Sequence, residues 1–505
     1  MPRREDVAIA VAAGAIVVVA NRAGVGWSWD STDYVETGIN LAEGRGLVDV
    51  TGRLMTVRPP GLPAVVAVGH VLGIAPSATL QVLNAACAVA VTLLAAVLLR
   101  AAAVGDGARR WGLAMVAASP ALLWQYTMAW SEPPFLVLEL AACVVALRTW
   151  RPWRWPLLAA LCAAMGFVRY VGPVFAAAVV AGGLVADLAR RRTVGAVARS
   201  VALHAGTLAA SAVPVGWWLA RNRAIDGTWT GARAPGGGSI LGPLRTATAT
   251  LGTWVLGRPF EGGIYMAWAD YPSAARLAGG TSVVVAGLGL TAAVVAALRA
   301  RRTDPVTTLA LLVVGSYVAF SAWRFVHVEL GPLDNRMMIP VHVPLLVLAA
   351  VGADRIGRVA RRRGPRSAAW ALGALAAVGL ALLAPQAATT ARDAATFGRE
   401  GRHWTSRGFQ RAPIHAAARA LDGPAGWYSN EPQQLYAAVR SGPILTQYQK
   451  DDGPLQRCDH RYVVWYRRTF LPDGEPTGLP VLHADDWGTI YDLGPCGENV
   501  NLRWP

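Results

Sequence analysis

The feature that most constrains this chain is the recurrence of apolar runs, most of them near the length of a membrane span. They occur at Val7–Val25, Ala78–Leu99, Leu136–Leu147, Val201–Ala220, Thr281–Leu298, Val306–Ala322 and Ala368–Leu383. A helix needs about 20 apolar residues to cross ~30 Å of hydrocarbon. A chain of 505 residues that is 54% hydrophobic and 15% charged therefore reads as an all-α polytopic membrane protein. Its net charge of +16 does not point to nucleic acid, because the basic residues form short clusters between apolar runs. That distribution is the one the positive-inside rule describes. Nearly every cation is arginine, and Lys450 is the only lysine.

Placing the Arg-rich stretches in the cytoplasm sets the topology. They are Arg3/Arg4, Arg100–Arg110, Arg148–Arg154, Arg190–Arg199, Arg299–Arg302 and Arg355–Arg366. Their spacing predicts about eleven spans, with the N-terminus cytoplasmic and the C-terminus extracytoplasmic in the plasma membrane. The spans fall at 7–26, 78–100, 111–129, 134–148, 156–169, 172–188, 201–220, 279–299, 306–323, 337–353 and 368–388. The basic, apolar N-terminus has no clear A-x-A cleavage site, so the first helix is expected to be retained. Residues 1–388 then form a transmembrane domain with a first outer loop at 27–77 and a second at 221–278. Residues 389–505 are more polar and read as a small extracytoplasmic α/β domain. Within it APIHAAARAL (Ala412–Leu421) is an expected helix, and YVVWYRR (Tyr462–Arg468) and GTIYDLG (Gly488–Gly494) are expected strands. Of five cysteines, Cys87, Cys143 and Cys162 lie in spans and pack there. Cys458 and Cys496 are candidates for a disulfide if their region is outside the cell, which the sequence leaves open.

The first outer loop is unusually acidic. Asp30, Asp33, Glu36, Glu43 and Asp49 follow the first span directly, ahead of RPPGLP (Arg58–Pro63). Asp30, Asp33, Thr37 and Asn40 share one helical face, so this stretch is expected to form an amphipathic helix lying at the lipid–water interface. Transfer of a sugar from a lipid-phosphate carrier suits such a place. The phosphate leaving group is already a stable anion and needs a cation, for which the arginine fork is well matched. The acceptor hydroxyl is a poor nucleophile and gains from a carboxylate base. There is no P-loop, no G-x-G-x-x-G between strand and helix and no HExxH, which argues against nucleotide-driven chemistry.

Beyond that chemistry, DSTDYVETGINLAEGRGL followed by RPPGLP resembles the first outer loop of the GT-C membrane glycosyltransferases. The resemblance is to the group around lipid-A aminoarabinose transferase, the protein mannosyltransferases and the Rgt-type enzymes. SEPPF (Ser131–Phe135), RYVG (Arg169–Gly172), RNRAIDGTWTG (Arg221–Gly231), DNRMMIPVHVPLL (Asp334–Leu346) and YSNEPQQLY (Tyr428–Tyr436) follow in the family's order. The resemblance implies a polyprenyl-phosphate-sugar donor and an acceptor approaching from outside: a polysaccharide, glycolipid or protein. It places Asp30 as base or acceptor-positioning group and Arg58 on the donor phosphate. The chain departs from the pattern at Val57, where aminoarabinose transferases carry an acid, which makes Asp33 the second candidate base. Some relatives use a divalent metal, but no ligands are assignable here, since His327 and Glu329 lack a metal-site spacing.

Each residue also has a plainer role to weigh. Asp30 and Asp33 could simply keep the loop out of lipid, and Arg58 could anchor it at headgroups. Glu132 is either a helix-start acid favoured by the dipole or a substrate contact. Arg169 lies in an apolar stretch, where an unpaired charge costs about 2.5–3.5 kcal/mol. It therefore requires a partner, for which Glu132 is the candidate, or it lines a lipid-phosphate cavity. Arg336 is either a phosphate contact or the ion-pair partner of Asp334 or Glu329. The leading expectation is a membrane glycosyltransferase moving a pentose or hexose with inversion. A lipid or solute transporter and a non-catalytic envelope assembly protein are the alternatives.

Overall fold

A computed structural model of the chain describes residues 3–148, 151–190, 193–231, 239–259, 271–283, 304–328, 333–421, 426–439, 444–446, 460–467, 476 and 478–493. The chain divides into two compact units. One holds residues 1–19, 82–126 and 131–395, and the other residues 20–81, 127–130 and 396–505.

The first unit is helical. It contains most of α1 (Arg4–Ala20) and α4 (Pro76–Ala101), then α5 (Asp106–Ala117), α6 (Pro120–Tyr126), α7 (Glu132–Leu147), α8 (Arg154–Val168), α9 (Gly172–Leu188) and α10 (Val194–Asp226). After these come α11 (Leu241–Val255), α12 (Pro305–His327), α13 (Asn335–Arg363) and α14 (Pro365–Glu400). Among the described residues five helices, α4, α10, α12, α13 and α14, are long and apolar enough to cross a membrane, and this is a membrane protein. At 36 residues, α14 is about 54 Å long and exceeds the hydrocarbon thickness.

The span expected at 111–129 is instead two helices, α5 and α6. Pro120 lacks an N–H and disfavours helical backbone before it, so the ladder breaks there. Side chains take up the exposed groups: Thr390 donates to Ala118 O at 2.7 Å, and Ser119 Oγ accepts from Leu122 N at 3.3 Å. Such compensation is what lets a break persist in an apolar unit. Helix α10 runs to Asp226, into the stretch expected as the second outer loop, and ends on left-handed Gly227, φ 76°. Asp226 then accepts from Thr228 N and Oγ1, both at 2.8 Å, which accounts for the IDGT run as a helix stop. That stretch also contains α11, whose Trp254 Nε1 donates to Asn335 Oδ1 at 2.7 Å. Most of the expected span at 279–299 and of APGGGS (234–239), together with Glu329, Lys450, Cys458 and Cys496, lies outside the described residues.

The second unit combines α2 (Trp29–Ala42) and α3 (Gly61–Val71) with the C-terminal elements. These are α15 (Arg407–Gln410), α16 (Pro413–Ala420), β1 (Gly426–Ser429), α17 (Pro432–Val439), β2 (Ile444–Thr446), β3 (His460–Tyr466), β4 (Val481–Ala484) and β5 (Gly488–Asp492). The expected C-terminal helix and both expected strands are α16, β3 and β5. The sheet order is β2-β1-β3-β5-β4, with β1 parallel to β2 and β3, and β5 antiparallel to β3 and β4. Alternate residues of the strands build one core face from Tyr428, Val463, Trp465, Tyr491 and Leu493.

Helix α2 departs from the expected interfacial helix. Thr37 and Asn40, assigned to its wet face, are buried, as is Val35 on the opposite side. Periodicity reports amphipathicity but not what covers the polar face, and here that face is covered by protein. Thr37 Oγ1 lies 3.4 Å from Met55 Sδ, and Asn40 Nδ2 donates to Val48 O at 2.7 Å. The most exposed large apolar side chains of this loop are on and just after α3, at Val68, Val71 and Leu72.

Candidate functional site

Helix α2 starts where the backbone is pinned at both sides. Gly26 N donates to Thr127 O at 2.8 Å, Trp404 N donates to Trp27 O at 3.2 Å, and Trp130 Nε1 donates to Ser28 Oγ at 2.7 Å. Asp30 therefore occupies the first helical turn, where the helix dipole favours an acid. Asp33 follows one turn later on the same side.

The loop after α2 delivers Arg58. Asp49 Oδ1 accepts from Thr51 N at 2.8 Å and Arg53 N at 3.2 Å, forming a tight turn. Met55 N then returns to Leu47 O at 2.8 Å. Pro59 and Pro60 stiffen the exit into α3. Helices α2 and α3 touch at Gly38, where an added Cβ would stand 2.6 Å from Val66 Cβ and 2.8 Å from Pro63 O. That close approach sets how near Arg58 comes to the acids of α2.

The outcome is one guanidinium on two carboxylates. Arg58 forms an ion pair with Asp30, and its Nη2 lies 3.8 Å from Asp33 Oδ2. Side-chain exposures are 20% for Arg58, 16% for Asp30 and 15% for Asp33, so the group is sheltered but reachable. Burial raises the Asp33 carboxyl to about 7, against the lowering pull of Arg58, with Asp49 and Asp30 adding to the rise. A third acid, Glu36, is held by the Tyr436 hydroxyl, and Gln433 Nε2 donates to Asp33 Oδ1 at 3.4 Å. Neither contact was legible from the sequence, because 400 residues separate the partners. The only signal was the motif YSNEPQQLY, which carried no stated role. Glu43 pairs with Arg45 as its neighbourhood suggests, and also meets His70 Nε2 at 3.5 Å.

The other three predicted residues meet in the helical unit. Glu132 opens α7 and its side chain is 0% exposed. Arg169, the C-cap of α8, forms an ion pair with it, and Arg336 Nε in the first turn of α13 donates to Glu132 Oε1 at 2.7 Å. Arg169 thus has the partner its apolar setting demands. Arg336 pairs with Glu132, while Asp334 is used as the helix cap, accepting from Met337 N at 3.0 Å. The RYVG motif is the α8–α9 corner. A Cβ on Gly172 would fall 2.3 Å from Met165 C, and Tyr170 OH receives Asn222 Nδ2 at 2.9 Å and Trp218 Nε1 at 3.2 Å. The six predicted residues therefore form two groups of three, one in each unit. His327 Nδ1 is engaged with Trp323 O at 2.8 Å, and no group of three His, Cys, Asp or Glu able to hold a metal occurs among the described residues.

No family profile and no characterised protein of similar sequence matches this chain. Solved structures do. ArnT from Cupriavidus metallidurans in the apo state matches with TM-score 0.58 at 14% identity, over 95% of this chain and 96% of that one. The same protein bound to undecaprenyl phosphate matches with TM-score 0.57 at 15% identity, over 96% and 97%. AglB from Archaeoglobus fulgidus, an archaeal oligosaccharyltransferase in complex with an inhibitory peptide and a dolichol-phosphate, matches with TM-score 0.51 at 11% identity, over 91% and 69%. At such identities the likeness is one of fold: this chain has the fold that ArnT and AglB share.

Proposed function

We propose that this protein is an integral-membrane glycosyltransferase that moves a pentose or hexose from a polyprenyl-phosphate carrier to an extracytoplasmic acceptor hydroxyl, with inversion. The observation that carries this reading is the pair of carboxylates sharing one guanidinium, Asp30 and Asp33 on Arg58, in a fold whose solved examples include one bound to undecaprenyl phosphate. About eleven spans, a cytoplasmic N-terminus and an extracytoplasmic C-terminal domain belong to the same proposal.

In the reaction, the acceptor oxygen attacks the anomeric carbon as the bond from that carbon to the phosphate oxygen breaks. The phosphate leaves with the electron pair, and the acceptor proton passes to a carboxylate. Arg58 receives the phosphate through its fork of N–H donors. Asp30, its partner without donor, holds the fork in place. Asp33 takes the proton. Its carboxyl at about 7 suits it to this task, because a base works best with a pKa near the operating pH. Arg169 and Arg336 share the single Glu132 carboxylate, and that group's net positive charge makes it a second point for recognising a substrate anion. The acceptor is a polysaccharide, a glycolipid or a protein.

The competing reading is a lipid or solute transporter. Glu139, fully buried in α7 with no hydrogen-bond partner for either oxygen among the described residues, is the observation in its favour, since intramembrane acids mark ion and substrate paths. Protein reconstituted in lipid and given a panel of polyprenyl-phosphate pentoses and hexoses separates the two. Release of polyprenyl phosphate, lost in Asp33→Asn while donor binding persists, supports the transferase. Passage of intact carrier across the bilayer without release supports transport.

A further inference from the structure

The motif YSNEPQQLY has no part in the mechanism above, yet its residues are tightly fixed. Ser429 ends β1, and its Oγ accepts from Glu431 N at 3.0 Å. Asn430 locks the turn onto β3: its Nδ2 donates to Tyr466 O and its Oδ1 accepts from Tyr466 N, both at 2.9 Å. Pro432 then begins α17, a position where a missing N–H costs little.

Gln433 and Tyr436 stand one turn apart on α17, as Asp33 and Glu36 do on α2. Residues three apart share a helix face, so a row of two on one helix can meet a row of two on the other. The rows do meet. Gln433 Nε2 donates to Asp33 Oδ1 at 3.4 Å, Tyr436 donates its hydroxyl to Glu36, and Thr32 Oγ1 donates to Gln433 O at 3.4 Å. Hydrogen bonds thus fix the turn before α17 to the backbone of β3, and α17 itself to the acids of α2.

We propose that Gln433 is a positioning residue for Asp33, and that α17 of the C-terminal sheet region exists in part to present it. The proposal rests on the reading of Asp33 as the base. A neutral amide donor suits the task. It engages one carboxylate oxygen and leaves the other for the acceptor proton, without adding a second cation that would suppress basicity. The groups acting on Asp33 are Asp30 on its own helix, Arg58 and Asp49 on the following loop, and Gln433 on α17. An amide N–H donated to a carboxylate favours its ionised form. Removing that donor therefore moves the Asp33 titration to higher pH.

The test needs no substrate at first. An infrared titration of the protonated-carboxyl band, taken as the difference between wild type and Asp33→Asn in lipid, isolates Asp33. The same difference is measured in the Gln433→Leu and Gln433→Glu backgrounds, the second being nearly isosteric and so guarding against a folding defect. The expected result is a midpoint raised by about half to one pH unit in Gln433→Leu and by more in Gln433→Glu, where a like charge adds to the loss. The acid limb of kcat/KM for polyprenyl-phosphate-sugar turnover moves by the same amount, giving a several-fold loss at acid pH that closes at alkaline pH. An unmoved midpoint in both variants overturns the positioning role, whatever the turnover. Full turnover in Asp33→Asn overturns the base assignment instead, and reduces a shifted midpoint to a structural contact.

Discussion

Two clusters of the same chemistry, carboxylate against guanidinium, occupy different units of this protein and are built in opposite proportions. In the first-loop unit two carboxylates share one arginine, and all three side chains keep 15–20% of their surface exposed. In the helical unit one carboxylate, 0% exposed, lies under two arginines. There it is the carboxylate that is wholly buried, the arginines keeping 13% and 23% exposure, and its desolvation holds the group, because separating it strands a charge away from water. The sheltered but reachable cluster has no such lock, and its surplus acid is free to titrate. The contrast teaches that the ratio of charges and their exposure, more than their identity, separate a fixed framework from a group able to exchange partners.

The comparison breaks or sharpens under parallel acid-to-amide changes. The largest effect is expected for Asp33→Asn on turnover: about 10²–10⁴-fold loss with a polyprenyl-phosphate-sugar donor, as for removal of a general base, with the folded protein recovered in full. Next, Glu132→Gln is expected to cost ~3–5 kcal/mol of stability by removing the buried charge that two arginines share, read as a large fall in Tm in detergent or lipid. The sign is reversed for Asp33→Asn. The Asp33 carboxyl lies at about 7 in the folded protein, above its ordinary 3.8. Its contribution to stability is therefore complete below pH ~4 and is lost as pH rises through ~7. The amide has nothing to lose, so the variant melts with wild type at acid pH and gains ~2 kcal/mol on it at pH 8, after allowance for solvent around a partly exposed group. Thermal melts across that range check the divergence, and a fall in stability at pH 8 would erase the distinction between the clusters. The smallest effect is Arg58→Lys, which keeps the charge and loses the fork; donor binding is expected to weaken about tenfold in a direct binding assay.

Much of this was legible beforehand, for reasons that are local. Apolar length marked the helices, the Arg clusters marked their ends, and alternation marked β3 and β5. Arg169 demanded a partner because an apolar stretch tolerates no lone charge, and Glu132 proved to be it. What went astray depended on neighbours far along the chain. The break at Pro120 became two helices because Thr390 and Ser119 could satisfy its open groups. The polar face of α2 was assigned to water because periodicity cannot say that Met55 and Val48 would cover it. Proximity in sequence offered Arg336 the neighbours Asp334 and Glu329, and could not add Glu132, 204 residues away, to which its Nε donates.

The sequence by itself determined that this chain enters a membrane, that its first loop carries acids beside an Arg-Pro-Pro element, and that a small sheet follows the last long helix. Each of these follows from composition and period over a few turns. Only the tertiary structure decided that Asp30 and Asp33 converge on one guanidinium, that the Asp33 carboxyl titrates near neutrality, and that α17 reaches α2 with Gln433 and Tyr436. Charge and hydrogen bonding act over a few ångströms, and whether residues 33 and 433 lie within that range is settled by packing, not by their positions along the chain.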